Sequence, residues 1–274
     1  MLSEHRGHEG GGVADGRPSS SERFSNRIAD YDRYRPTYPP QVIDVLAGTW
    51  GLRAGQAAAD VGAGTGIFTA LLLARGLEVE AIEPNEGMRE VAADRFRADG
   101  RCRVRPGTAE QTGLPDRAVD WVFAAQAFHW FDVDAARVEL RRILRDDRGG
   151  GCAALLWNNR LEDGPFLSEY EAFLHEYGID YARVKHQSAE QDGRITRFFG
   201  GEGFTLRSFR HDVSMNLDGL IGRTASCSYM PARDHPQYPA TVARLGEIFA
   251  RYQSAGAVTF EYEVRMYVGR PGSG

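Results

Sequence analysis

The chain has 274 residues, 42% of them hydrophobic, with a formal net charge of −5 and a pI of about 5.8. That is enough apolar material for one large globular domain. The acidic balance argues against nucleic acid as the main partner, and no apolar stretch approaches the ~20 residues that span a bilayer.

Three widely spaced cysteines, Cys102, Cys152 and Cys227, have no C-x-x-C pairing, which suits a reduced, cytoplasmic setting better than a disulfide framework. The first residues lack the apolar core of a secretory signal. Basic residues are nearly all arginine and spread along the chain, with Lys185 the one lysine.

Residues 1–22 are rich in Gly, Ser and His and read as a disordered tail ahead of a single domain at 23–274. His5 and His8 belong to that solvated tail. Residues 23–50 read as cap helices: a tyrosine-dense segment with Tyr31, Tyr34, Arg35 and Tyr38 runs into prolines that stop a helix, and Gln41–Trp50 is amphipathic. Strand–helix alternation then fills 51–160. Strands are expected at about 57–61, 78–83, 102–105, 119–125 and 152–158, with helices at about 66–75, 85–98 and 132–146. Such alternation implies a parallel sheet with right-handed crossovers. Residues 161–203 look helical and aromatic. From 204 to 274 the pattern gives a long strand at about 204–215, helices near 217–225 and 237–254, and a last strand at 259–268 with alternate apolar residues.

The densest functional signal is Asp60-Val-Gly62-Ala63-Gly64-Thr-Gly66, between the first strand and the first helix of the alternation, with Glu83 at the end of the second strand. Glycines there let a ligand approach the backbone. A carboxylate at the end of the neighbouring strand can accept from both hydroxyls of a ribose. The spacing is G-x-G-x-G. In the dinucleotide fingerprint G-x-G-x-x-G a third glycine would stand at Ile67. A nucleoside without pyrophosphate, carrying an amino-acid end, suits this variant.

These residues resemble motif I of the class I S-adenosylmethionine (SAM) methyltransferases. With Tyr34-Arg35-Pro36-Thr-Tyr38-Pro39, Glu83-Pro84-Asn85, Gly107-Thr108-Ala109-Glu110 and Ala125-Gln126-Ala127-Phe128-His129-Trp130, the chain is similar to small-molecule enzymes of the trans-aconitate methyltransferase-like group. The resemblance implies an α/β fold: a Rossmann-like, mostly parallel sheet with an antiparallel last strand, and 161–203 as a helical lid. It implies SAM as cofactor, S-adenosyl-L-homocysteine (SAH) as product, a small-molecule acceptor, and no nucleic acid or membrane partner. Gly62, Ala63, Gly64 and Gly66 would pack on the methionine part, Glu83 would hold the ribose, and Pro84, Asn85 and Met88 would border ribose and adenine. Thr108, Ala109 and Glu110 would lie at the adenine, and Gln126 and Ala127 by the sulfonium. Tyr34 and Arg35 would close over the cofactor.

Several roles stay open. Asp60 either contacts the methionine amino group or steadies the turn, and Arg35 either pairs with the cofactor carboxylate or sits in a surface ion pair. His129 is either a general base or a pocket wall. Trp130 either faces the sulfonium or packs in the core. Tyr31, Tyr38, Trp130, Trp157, Asn158, Asn159 and Tyr229 are candidate acceptor contacts. No spacing suggests a metal site. The acceptor atom (O, N or C) and the oligomeric state are left open. Rival functions are a SAM-binding protein that does not methylate, a nucleic-acid or protein methyltransferase, and an NAD-dependent oxidoreductase.

Overall fold

The computed structural model describes residues 27–145, 151–179, 181, 193–200 and 203–272. The tail expected at 1–22 lies outside them, as does part of the 161–203 segment.

Helix α1 (Ile28–Tyr34) stops where Arg35 turns extended ahead of Pro36, and α2 (Gln41–Trp50) follows the prolines. The alternating unit then runs β1 (Ala57–Val61), α3 (Ile67–Ala74), β2 (Glu78–Ile82), α4 (Glu86–Phe96), β3 (Cys102–Arg105), β4 (Trp121–Ala125), a 3₁₀ turn at Phe128–Trp130, α5 (Val133–Ile143) and β5 (Cys152–Arg160). Beyond it come α6 (Pro165–Tyr177), α7 (Arg194–Phe199), β6 (Phe204–Met215), α8 (Leu217–Ala225), α9 (Tyr238–Tyr252) and β7 (Val258–Gly269).

The strands form one sheet in the order β3-β2-β1-β4-β5-β7-β6. β7 runs antiparallel to both neighbours, and every other pairing is parallel. Central strands covered on both faces need apolar residues on both, so β1 and β4 read as apolar runs. Ala59, Val61, Val122 and Ala124 face a core completed by α5 and α7. Ala58, Trp121 and Phe123 face the opposite one, completed by α2 and α3. A third core gathers α6, α8, α9 and the start of β7.

The chain builds outward in one direction from β1 to β3, then returns to the other side of β1 as β4. Ligands of open α/β sheets gather beyond the carboxyl ends of the strands at this reversal.

Candidate active site

The turn after β1 is tied to the end of β2: Gly62 and Ala63 donate to the Ile82 carbonyl at 2.8 and 3.1 Å. Its three glycines all have positive φ, but for different reasons. A Cβ on Gly62 would lie 2.5 Å from Ala127 Cβ, and one on Gly66 2.4 Å from the Phe96 ring of α4. A Cβ on Gly64 would meet nothing nearer than Met88 and Tyr31 at 3.9 Å, so it would point into open space.

That space is a cavity of about 260 Å³, lined among others by Tyr31, Gly62, Gly64, Glu83, Pro84, Asn85, Met88, Thr108, Ala109, Glu110, Gln126, Ala127, Trp130 and Phe131. Glu83 is fixed from both sides: one oxygen accepts from Gly64 N at 2.9 Å, the other from Asn85 N at 2.8 Å. Burial raises its pKa, and the two amide donors oppose that shift. Asn85 caps α4 by accepting from Met88 N, which sets the Met88 side chain at the cavity. Glu110 accepts from Asp132 N at 2.8 Å, closing the far wall.

A second, smaller cavity adjoins the first through Tyr31, Gly62, Ala125 and Gln126. Arg35, Tyr38, Asp60, Ala63, Asn158, Arg223 and Tyr262 line it. Asp60 is fully buried; Oδ2 accepts from Thr69 Oγ1 at 2.6 Å, and Oδ1 has no hydrogen-bond partner among the described residues. Burial pushes its pKa up to about 7. Asn158 donates to the Thr37 carbonyl, and its buried Oδ1 has no partner among the described residues. Gln126, which touches both cavities, is a non-glycine residue at φ 58°, held by Nε2 donating to the Asn158 carbonyl. Strain of this kind concentrates at functional sites.

Residues 59–151 match the sequence profile described as a methyltransferase domain. An uncharacterized methyltransferase of Mycobacterium tuberculosis is 40% identical over 146 residues, which are 53% of this chain and 56% of that protein's length. An uncharacterized methyltransferase-like protein of Schizosaccharomyces pombe is 32% identical over 252 residues, covering 89% of this chain and 93% of its own. The chain belongs to the class I SAM-dependent methyltransferase family. A solved structure from Anaeromyxobacter dehalogenans, whose type II methyltransferase assignment is itself provisional, shares the fold: TM-score 0.67 at 21% identity, over 86% of this chain and 98% of that one.

Not every residue expected at a methyltransferase site lies at these cavities. Gly66 packs on Phe96 instead of lining either one. The Tyr34 ring lies against Gly222 of α8, and its hydroxyl donates to Asp218 at 2.8 Å. Trp157 is a core residue edge-on to Phe128 and Tyr267. Side chains alternate along β5, so Asn158 reaches the smaller cavity and Asn159 does not. Tyr229 is half-buried against Tyr181, 4.9 Å between centroids. His129 lines neither cavity. Burial, aided by Arg194 and Arg35, takes its pKa down to about 4, so it is a neutral imidazole near pH 7 and a weak base. No described residue of 161–203 lines either cavity. Among the described residues, Tyr31 of α1 and Arg223 of α8 border the cavities, and the two helices pack on each other.

Arg223 and Tyr262 were not picked out in the sequence: they sit on a late helix and the last strand, and no short-range spacing joins them to the glycine turn. Tyr262 read as one of several apolar-face residues of β7.

Proposed function

We propose that the protein transfers the methyl group of SAM to a small-molecule nucleophile by in-line displacement, releasing SAH. The observation that carries this is the pair of adjoining cavities at the sheet's reversal. One end holds a rigidly presented carboxylate, Glu83, and the other a buried carboxylate oxygen without a partner, on Asp60. A nucleoside joined to an amino acid needs that combination. The space in front of Gly64 fits it too, since Gly64 lines the larger cavity and a Cβ there would project toward it, between Met88 and Tyr31.

In this reading Glu83 accepts from the ribose hydroxyls, and Met88, Ala109 and Phe131 give apolar surface to the base. Asp60 accepts from the methionine ammonium, and Arg35 pairs with its carboxylate. Bound there, SAM supplies an activated methyl group on a cationic sulfur. The protein's share is then alignment and exclusion of water. Proximity alone can supply roughly 7–11 kcal/mol. Gln126 and Ala125, where the cavities meet, offer carbonyl and amide surroundings without a carboxylate that would favour the positive ground state. Tyr38 is fully buried and its pKa is well above the usual phenol range, so it stays protonated and orients the acceptor without acting as a base. The free cysteines and the acidic net charge suit a soluble metabolite in the cytoplasm as acceptor.

The test is to incubate the protein with methyl-labelled SAM and a metabolite extract. The expected result is one small molecule heavier by CH₂, with SAH formed in equal amount. Label appearing only in RNA or protein, or none despite saturable SAM binding, would refute the small-molecule methyltransferase reading.

A further inference from the structure

Strand β6 is the outer edge of the sheet. It is 12 residues long and pairs with β7 at every one of them, Phe204 to Met215, without a break in register. Among the described residues, its backbone bonds to nothing else except the Arg207 side chain, which donates to the neighbouring Leu206 carbonyl. A row of open amides and carbonyls is a template for another strand, and folds protect such edges with lysine, proline, bulges or a covering segment. β6 has no lysine and no proline, and its ladder with β7 has no bulge. Apolar surface gathers there too. Phe204 and Leu206 on the strand and Leu217 just beyond it are 38%, 42% and 37% exposed, and they are half of the six exposed large hydrophobics among the described residues.

The charges of this edge complement themselves. Arg210 and Asp212 stand two residues apart, so they share a face. They pair with each other at 2.6 Å, and Arg210 also reaches Glu261 of β7 at 2.5 Å. All three side chains are exposed enough that such pairs contribute little, so exchanging partners costs little. When two copies of β6 run antiparallel about His211, Arg210 of each copy lies opposite Asp212 of the other. Sliding the register by two residues sets Arg210 against Arg210, or Asp212 against Asp212, which is unfavourable. The register chosen by charge also sets Leu206 of one copy opposite Asn216 of the other, beside the exposed Leu217. Charge and apolar surface therefore select the same alignment. We propose that β6 joins two copies of this chain into a symmetric dimer with one continuous sheet. The dimer stands apart from the choice of methyl acceptor.

Sedimentation velocity over a concentration series tests it. The expected species has twice the 30.3 kDa chain mass. Arg210→Asp and Asp212→Arg each set like charges opposite one another twice, and each should weaken the dimer about tenfold or more. Combining the two exchanges should bring association back to within about threefold of the wild type. Melting curves check that each variant is folded. Hydrogen exchange on the wild type needs no variant: the outward-facing amides within residues 207–215 should slow as protein concentration rises through the dissociation constant. A wild-type monomer up to about 100 μM overturns the proposal. So does a dimer that leaves exchange at β6 unchanged, or one indifferent to both charge reversals.

Discussion

The two ends of the paired cavities are built differently. The end that holds Glu83, Asn85, Met88 and Thr108 is made from the carboxyl termini of β1 to β4 and the turns that follow them. Each wall is set by a few consecutive residues, and the parallel register brings the walls together. The far end shares Asp60, the glycine turn and Gln126 with that framework, and is completed by α1 and the residues after it, α8, β5 and β7, segments distant in sequence that meet through packing. Backbone and hydrogen bonds shape the first end. Long side chains fill the second, where Asp60 keeps a buried oxygen with no partner among the described residues. A family can keep the first end fixed and vary the second.

The contrast is sharpest within the glycine turn itself. Gly62→Ala drives a Cβ into Ala127 at 2.5 Å on a backbone with φ 72°, so it should cost about 2–4 kcal/mol of stability from backbone and overpacking strain together. Gly64→Ala bears only the backbone strain, about 1–2 kcal/mol, because its Cβ enters the cavity; its main effect should be weaker SAM binding. Urea denaturation and calorimetry on the pair separate the two roles. Equal losses of stability, with wild-type affinity in Gly64→Ala, would erase the distinction between a packing glycine and a ligand-facing one.

Glu83→Ala probes the rigid end directly. Loss of a hydrogen-bonded charged group should weaken SAM binding by roughly 1.5–3 kcal/mol. The same change leaves the amides of Gly64 and Asn85 without their acceptor. SAH binding to a protein with an unaltered melting curve is the measurement, and unchanged affinity would disprove the ribose role.

Asp60 carries a pH signature. Its pKa in the ligand-free fold stands near 7, above the unfolded value of about 4, so the folded chain holds an extra proton between those limits. Stability of the ligand-free protein should therefore decline as pH rises across that window. A methionine ammonium pairs only with the ionised form, so cofactor affinity should fall by about tenfold for each unit below pH 7 and level off above about pH 8. Asp60→Asn should flatten the profile. Calorimetry at three pH values decides it, and a flat wild-type profile would leave Asp60 a purely structural partner of Thr69.

What the sequence disclosed follows the same division. The parallel part of the sheet and most of the larger cavity were legible because strand ends, glycine turns and their acidic partners have fixed short spacings, whereas the antiparallel last strand came from the family resemblance and not from spacing. Gly66 was read as a ligand contact because spacing does not tell which glycine faces Phe96. Asn158 and Asn159 were both read toward the acceptor; strand phase turns only Asn158 to the smaller cavity, because one residue along a strand reverses the face. Arg223 gave no signal: a single arginine on a late helix looks like any surface cation until Arg35 and Tyr262 are seen around it. Trp157 and Tyr229 were placed by proximity to strand ends and loops, whereas packing against Phe128, Tyr267 and Tyr181 decided where they went.

His129 lies between the two regimes, and the smallest effect is expected there. It follows β4, where the local pattern puts ligand contacts, yet its ring turns to Trp130, 4.8 Å between centroids, and lines neither cavity. A general base of ordinary pKa would give turnover an acid limb near pH 6.5. With the imidazole shifted down to about 4, such a limb would fall below about pH 5. His129→Asn should accordingly change kcat at saturating SAM by less than about threefold, well short of the 10²–10⁴-fold typical of a lost acid–base group. Any limb near pH 7 should appear in the SAM concentration dependence, through Asp60, and persist in the variant. If kcat instead drops a hundredfold and loses a limb that the wild type shows, His129 reaches the acceptor in the working complex, and the far end would be assembled by ligand binding.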